Sequence, residues 1–194
     1  MKILIGLGNP GTEYTHTRHN FGFRVIDRAS SAWNVALEKD GHCRAMVGRC
    51  DRFEKPVLLV KPHTFMNASG VAVRQLLERH AIEPKDLLVV FDDVSFPLGT
   101  FRIRTHGGGG GHNGLISIIE ALETEAFPRM RLGISTGPVA SQDLTGFVLG
   151  EFSPSEEDAV GDVLPEVVGA LELLMTKGIA EAMNVYNGLE KGEK

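Results

Sequence analysis

Two short runs constrain the fold more than anything else in the chain. Lys2-Ile3-Leu4-Ile5-Gly6-Leu7 and Leu87-Leu88-Val89-Val90-Phe91 are apolar at almost every position. A strand with one wet face alternates apolar and polar residues, whereas a strand covered on both faces does not. Both runs therefore read as central strands of a sheet with helices on either side. Residues 21–36 carry Phe21, Val25, Ala29 and Ala32-Trp33 at the spacing of an amphipathic helix. A second helix is expected from Asn67-Ala68-Ser69-Gly70 to about His80, with Val71, Leu76 and Leu77 facing inward, and a third over residues 115–122. Residues 43–50 and 56–60 read as paired strands, residues 100–105 and 129–134 alternate as half-wet strands, and the last forty residues read as two helices. The expectation is one three-layer α/β domain over residues 1–194, a twisted mixed sheet flanked by helices, with residues 151–194 as its helical C-terminal part.

Composition narrows the function classes. Cys43 and Cys50 are too sparse for a disulfide framework, so a reducing cytoplasm is expected. The chain opens on a buried-strand pattern rather than a signal peptide, and no apolar run approaches the ~20 residues of a membrane span. The formal net charge of −5 argues against a bulk polyanion binder. It is unevenly spread: residues 151–194 hold ten acidic residues, three lysines and no arginine. Removing them from totals of 20 basic and 25 acidic leaves 17 and 15, so a slightly basic body stands behind an acidic tail.

Gly6-x-Gly8-x-x-Gly11 after a strand has the form of a dinucleotide fingerprint. Pro10 and the polar stretch 13–16 lie where the phosphate-cradling helix should already run, and Gly6 falls inside the strand, so the match is set aside. The five glycines at 107–111 precede a helix and form either an anion cradle or an empty turn; no Gly-Lys-Ser/Thr accompanies them. More informative is where the polar residues fall. Asn9, His19, Asn20, Asn67, Asp92, His112 and Asn113 all stand at or just past the ends of expected elements. Loops beyond strand carboxyl ends converge on one crevice in an α/β sheet. An imidazole, a carboxylate and several amides can hydrolyse an ester with water: the first takes the proton, the second fixes its tautomer, and the amides face the oxyanion. No serine elbow and no metal-ligand spacing occurs, so neither covalent serine catalysis, nor a metal, nor any other cofactor is expected.

The blocks Gly6-Leu-Gly-Asn-Pro-Gly-Thr-Glu-Tyr14, Thr17-Arg-His-Asn-Phe-Gly22, Lys61-Pro-His-Thr-Phe-Met-Asn67, Phe91-Asp-Asp93 and Gly110-Gly-His-Asn-Gly114 resemble the signature of bacterial peptidyl-tRNA hydrolases in order and spacing. Arg129-Met-Arg-Leu-Gly-Ile134 and Gly146-Phe-Val-Leu149 extend the resemblance to residues 3–150. It implies cleavage of the ester between a peptide and the 3′-terminal ribose of tRNA. The implied base is His19 and its orienting carboxylate Asp92. Substrate and oxyanion contacts fall to Asn9, Asn67 and Asn113, with Met66 and His112 along the peptide channel and crevice wall and Tyr14 and Phe65 among the residues that bind substrate or tRNA. Arg104 and Arg131 match positions for tRNA phosphate. The implied partner is peptidyl-tRNA, held at its acceptor end and 3′ adenosine, by a cytoplasmic monomer with no membrane and no obligate protein partner.

Plainer readings stand beside these. Met66 and Phe65 suit a core, Asn113 suits a helix cap, Asp93 suits a turn, and Arg102 and Arg104 suit a solvated strand face. A non-catalytic RNA-binding protein on the same fold, such as those serving intron splicing, is the second function class. The His19, Asp92 and Asn9 set favours the enzyme, since a pure binder needs no general base.

Overall fold

A computed structural model describes residues 1–137 and 143–188. Seven strands form one sheet: β1 (Lys2–Gly6), β2 (Glu38–Asp40), β3 (Ala45–Cys50), β4 (Val57–Pro62), β5 (Leu87–Pro97), β6 (Phe101–Arg104) and β7 (Arg129–Ser135). Their order is β2-β3-β4-β1-β5-β7-β6. The centre, β4-β1-β5-β7, is parallel, and β2, β3 and β6 add antiparallel edges, so the sheet is mixed.

Side chains alternate between two cores. Leu4, Leu88, Val90, Met130 and Leu132 face α1 (Phe21–Trp33), α5 (Pro154–Lys177) and α6 (Ile179–Asn187). Ile3, Ile5, Leu87, Val89 and Phe91 face α2 (Ser69–His80) and α3 (Asn113–Leu122). These are the three layers that continuous apolar strands require. A short helix, α4 (Leu144–Leu149), precedes α5.

Several local expectations change. The first helix stops at Trp33 rather than Ala36, because Asn34 turns left-handed (φ 54°) and caps it. Val71 points outward at 43% exposure, since the buried stripe of α2 runs through Gly70, Val73, Leu76 and Leu77. Asp92 and Asp93 do not follow β5 but lie inside it, paired with Leu132 and Gly133 of β7.

The acidic C-terminal part is bound to the basic body. Arg18 makes a two-pronged contact with Glu156 (2.8 and 3.0 Å), and Arg24 does the same with Glu157 (2.7 and 2.8 Å). Trp33 Nε1–H donates to Glu172 (2.8 Å). A capping box between Ser153 and Glu156, with Pro154 next in line, starts α5 at this junction. Two carboxylates of the tail are thus paired with two arginines of the body, which ties the helix down and leaves the net charge of −5 unchanged.

Candidate active site

The site begins with two glycines that let a turn sink onto the sheet. A Cβ on Gly22 would lie 2.5 Å from Leu7 N and from Val90 O, and one on Gly6 would collide with the Gly22 carbonyl. Without side chains at either position, the 3-10 turn Arg18–Asn20 and the start of α1 rest on the ends of β1 and β5. Gly6 of the fingerprint-like motif serves this backbone contact, and Gly8 makes room for the Phe23 ring. The descent brings His19 to Asp92.

His19 Nδ1 lies 2.9 and 3.0 Å from the two Asp92 carboxylate oxygens. Both residues are buried, Asp92 at 3% exposure. Burial disfavours the Asp92 charge, but the His19 and His112 imidazoles outweigh it and hold the carboxyl well below the usual carboxylate range. An ionised Asp92 makes His19 Nδ1 the protonated nitrogen and leaves Nε2 with a lone pair.

Asn9 is fixed on two sides. Its backbone N–H donates to Asn20 Oδ1 (2.7 Å), Asn20 Nδ2–H donates back to the Asn9 carbonyl (3.0 Å), and Met66 N–H donates to Asn9 Oδ1 (2.8 Å). The Asn9 side-chain amide therefore presents its N–H₂ as a donor. Gly114 of α3 lets Met66, from the turn before α2, and His112 close in, since a Cβ there would stand 3.2 Å from His112 Cε1 and against Met66 Sδ. His112 Nδ1 accepts the Leu115 N–H (3.3 Å), and His112 Nε2 faces Asp92 Oδ1 (3.2 Å). The cap of α3 is therefore His112, whereas Asn113 is its exposed first residue.

A cleft of about 400 Å³ opens beside this centre. His19, Asp92, His112 and Asn113 lie along it with the 107–111 glycines, Arg104 and Arg131. Met66 and Asn9 adjoin through the contacts above. Tyr14, Phe65 and Asn67 do not border the cleft: Tyr14 is half-buried in the turn Thr12–Tyr14, Phe65 is 60% exposed and Asn67 is exposed in the turn Met66–Ala68.

Three features escaped the sequence reading. Leu144, Thr145 and Val148 of α4 form a cleft wall, and of these only Val148 falls in a block that carries the resemblance. Arg129, at 2% exposure, gives its guanidinium to the carbonyls of Gly108 (3.1 Å), Glu125 (2.9 Å) and Phe127 (3.4 Å), anchoring the root of the glycine loop. Burial pushes its pKa down to about 10. In an alternating strand a buried arginine has the same signature as a solvated one. Third, His19, Asp92 and His112 bring three donor atoms within 4.8 Å of one another, a grouping that could hold a metal ion and that sequence spacing did not suggest. The N–H···O contacts from both imidazoles to Asp92 already give this grouping a role of its own.

The arginines stack across the sheet edge. Arg102 pairs in register with Arg131, and Arg104 with Arg129. Arg131 is partly neutralised, its Nε 2.6 Å from Asp93 Oδ2. Arg102 and Arg131 lie over the Phe96 ring (5.7 and 4.4 Å). Like charges directly opposite each other destabilise a sheet, and here the Asp93 carboxylate on Arg131 and the backbone carbonyls on Arg129 offset part of that cost.

A mixed α/β sheet with a buried histidine–aspartate pair and amide donors at one crevice defines a class of water-using hydrolases. The comparisons give the particular family. Residues 3–194 match the peptidyl-tRNA hydrolase family. Relatives named peptidyl-tRNA hydrolase include that of Syntrophomonas wolfei, 46% identical over 96% of this chain and 100% of its own length. That of Synechococcus sp. (strain JA-3-3Ab) is 42% identical over 98% of this chain and 84% of its own. The crystal structure of peptidyl-tRNA hydrolase from Acinetobacter baumannii superposes with a TM-score of 0.91 at 32% identity, covering 97% and 95% of the two chains. The chain belongs to the peptidyl-tRNA hydrolase family.

Proposed function

We propose that the chain hydrolyses the ester joining a peptide to the 3′-terminal ribose of tRNA, with His19 as general base and Asp92 as its orienting carboxylate. The observation that carries this reading is the short buried contact between His19 Nδ1 and Asp92, which leaves Nε2 as the proton acceptor. A water beside Nε2 gives up its proton to His19 while its oxygen attacks the ester carbonyl carbon. The Asn9 amide, aimed by Asn20 and Met66, donates to the carbonyl oxygen as negative charge builds. Asn113 supplies a further amide within the cleft, Met66 adjoins it, and Asn67, Phe65 and Tyr14, which stand outside the cleft, serve only the part of the substrate that extends beyond it. As the tetrahedral intermediate collapses, the His19 imidazolium returns the proton to the departing ribose oxygen.

No cofactor is part of this scheme. The tRNA acceptor end lies along the cleft, its phosphates beside Arg104, Arg131 and the glycine backbone. The protein acts as a monomer in the cytoplasm; no helix among the described residues is long and apolar enough to cross a membrane. The non-catalytic RNA-binding reading has no support from the relatives.

His19→Ala tests the scheme. It is expected to lower kcat by at least ~10²-fold with little change in KM. A variant with near-normal kcat refutes the base assignment.

A further inference from the structure

Asp92 accepts from two imidazoles, and general-base chemistry requires only one of them. A backbone N–H can only donate, so the Leu115 contact makes His112 Nδ1 the unprotonated nitrogen. The proton of the neutral ring then sits on Nε2, directed at Asp92 Oδ1 (3.2 Å), the same oxygen that accepts from His19 (3.0 Å). Packing holds the ring there: its centroid is 4.9 Å from Phe91, edge to face, and 4.8 Å from His19.

We propose that His112 is a positioning residue whose Nε2–H takes a share of the Asp92 charge, so that Asp92 holds the His19 imidazolium formed in turnover less firmly than an isolated histidine–aspartate pair would. This rests on His19 being the base. A proton accepted from water has to be returned to the leaving oxygen, and an imidazolium held too firmly returns it slowly. The remaining charged groups around the centre do not take this place. Asp93 and Arg131 pair with each other, Arg129 faces backbone carbonyls, and Arg18 faces Glu156. Arg104 and His106 are exposed at the cleft, and α4 contributes Leu144, Thr145 and Val148, which carry no charge.

Two variants separate this role from helix capping. His112→Asn keeps a side-chain acceptor for the Leu115 N–H, a position asparagine fills well, but is too short to donate to Asp92. His112→Phe keeps a ring and loses both contacts. In the pH dependence of kcat/KM on peptidyl-tRNA, both variants are expected to shift the acid limb upward by about half a pH unit, because Asp92 then serves His19 alone. An unmoved limb in both variants, or a shift confined to His112→Phe, overturns the proposal and leaves His112 with capping or packing. ¹⁵N NMR gives a second readout: a protonated His112 Nδ1 in the free enzyme also overturns it. His19→Ala runs alongside. An active His19→Ala brings down the base assignment itself; an inactive one beside unmoved His112 limbs brings down only the role of His112.

Discussion

Replacing Asp92 by asparagine separates chemistry from stability more cleanly than any other change in this site. The carboxylate is 3% exposed and accepts from His19 at 2.9 and 3.0 Å and from His112 at 3.2 Å. Asparagine occupies the same volume but has one acceptor oxygen and an amide that donates. Beside His19 Nδ1 that amide favours the tautomer with its proton on Nε2, where the lone pair is needed. Losing one charge-assisted hydrogen bond to the developing imidazolium costs about 1.5–3 kcal/mol, or roughly 10- to 150-fold in rate. Reversing the tautomer adds to this, so the expected loss in kcat is about 10²- to 10⁴-fold. Stability should respond differently. Removing a fully buried charge relieves its desolvation and offsets the lost hydrogen bonds, so Tm should stay within about 3 °C. The assay pairs single-turnover cleavage of peptidyl-tRNA with thermal melting, and Asp93→Asn serves as the contrast. Asp93 accepts from Arg131 (2.6 Å) and from Ser95 N–H (2.9 Å), so its variant should keep kcat within about threefold. Equal rate losses at unchanged Tm would refute the choice of carboxylate. A loss in Asp92→Asn that merely follows a falling Tm would refute the orienting role.

Arg104→Glu combined with Arg131→Gln should raise KM for peptidyl-tRNA about tenfold and flatten its salt dependence, while a peptide esterified to adenosine is cleaved as before. Loss on both substrates would place these arginines in the chemistry or the core, and loss on neither would move tRNA to another face. Glu156 gives a pH signature. Burial opposes its charge, yet the Ser153 backbone N–H and Arg18 hold its pKa below the ordinary 4.5. A depressed carboxyl stabilises above its unfolded pKa and loses that contribution as pH falls through the folded one. Glu156→Gln should therefore lower Tm by about 4–8 °C near neutrality, with the gap closing below about pH 4. A gap independent of pH would show that shape rather than charge matters there.

Much of the fold was legible because burial writes itself into the apolar pattern. β1 and the first half of β5 could be read directly, as could α2 and α3. β2 could not, since Glu38-Lys39-Asp40 is a polar edge strand whose pairing comes from β3 alone. The second half of β5 was hidden because Asp92-Asp93 has the composition of a turn, whereas their side chains are satisfied by His19, His112 and Arg131. The site was legible as a set of residue types at element ends, but its internal wiring was not. Asp92 lies 73 residues from His19 and 20 from His112, separations that no local pattern reports. Arg129 and the α4 wall were missed for a related reason, as their roles depend on what the fold brings beside them.

The contact between Gly6 and Gly22 sets a rule for transplanting this chemistry. The reach from helix start to strand is shorter than one side chain allows, and that closeness, more than the identity of the imidazole and the carboxylate, aims one at the other. Grafting a histidine and an aspartate onto another parallel sheet would leave them a layer apart unless both glycines travelled with them. The smallest portable unit of the histidine–aspartate pair is therefore four residues, two of which have no side chain at all.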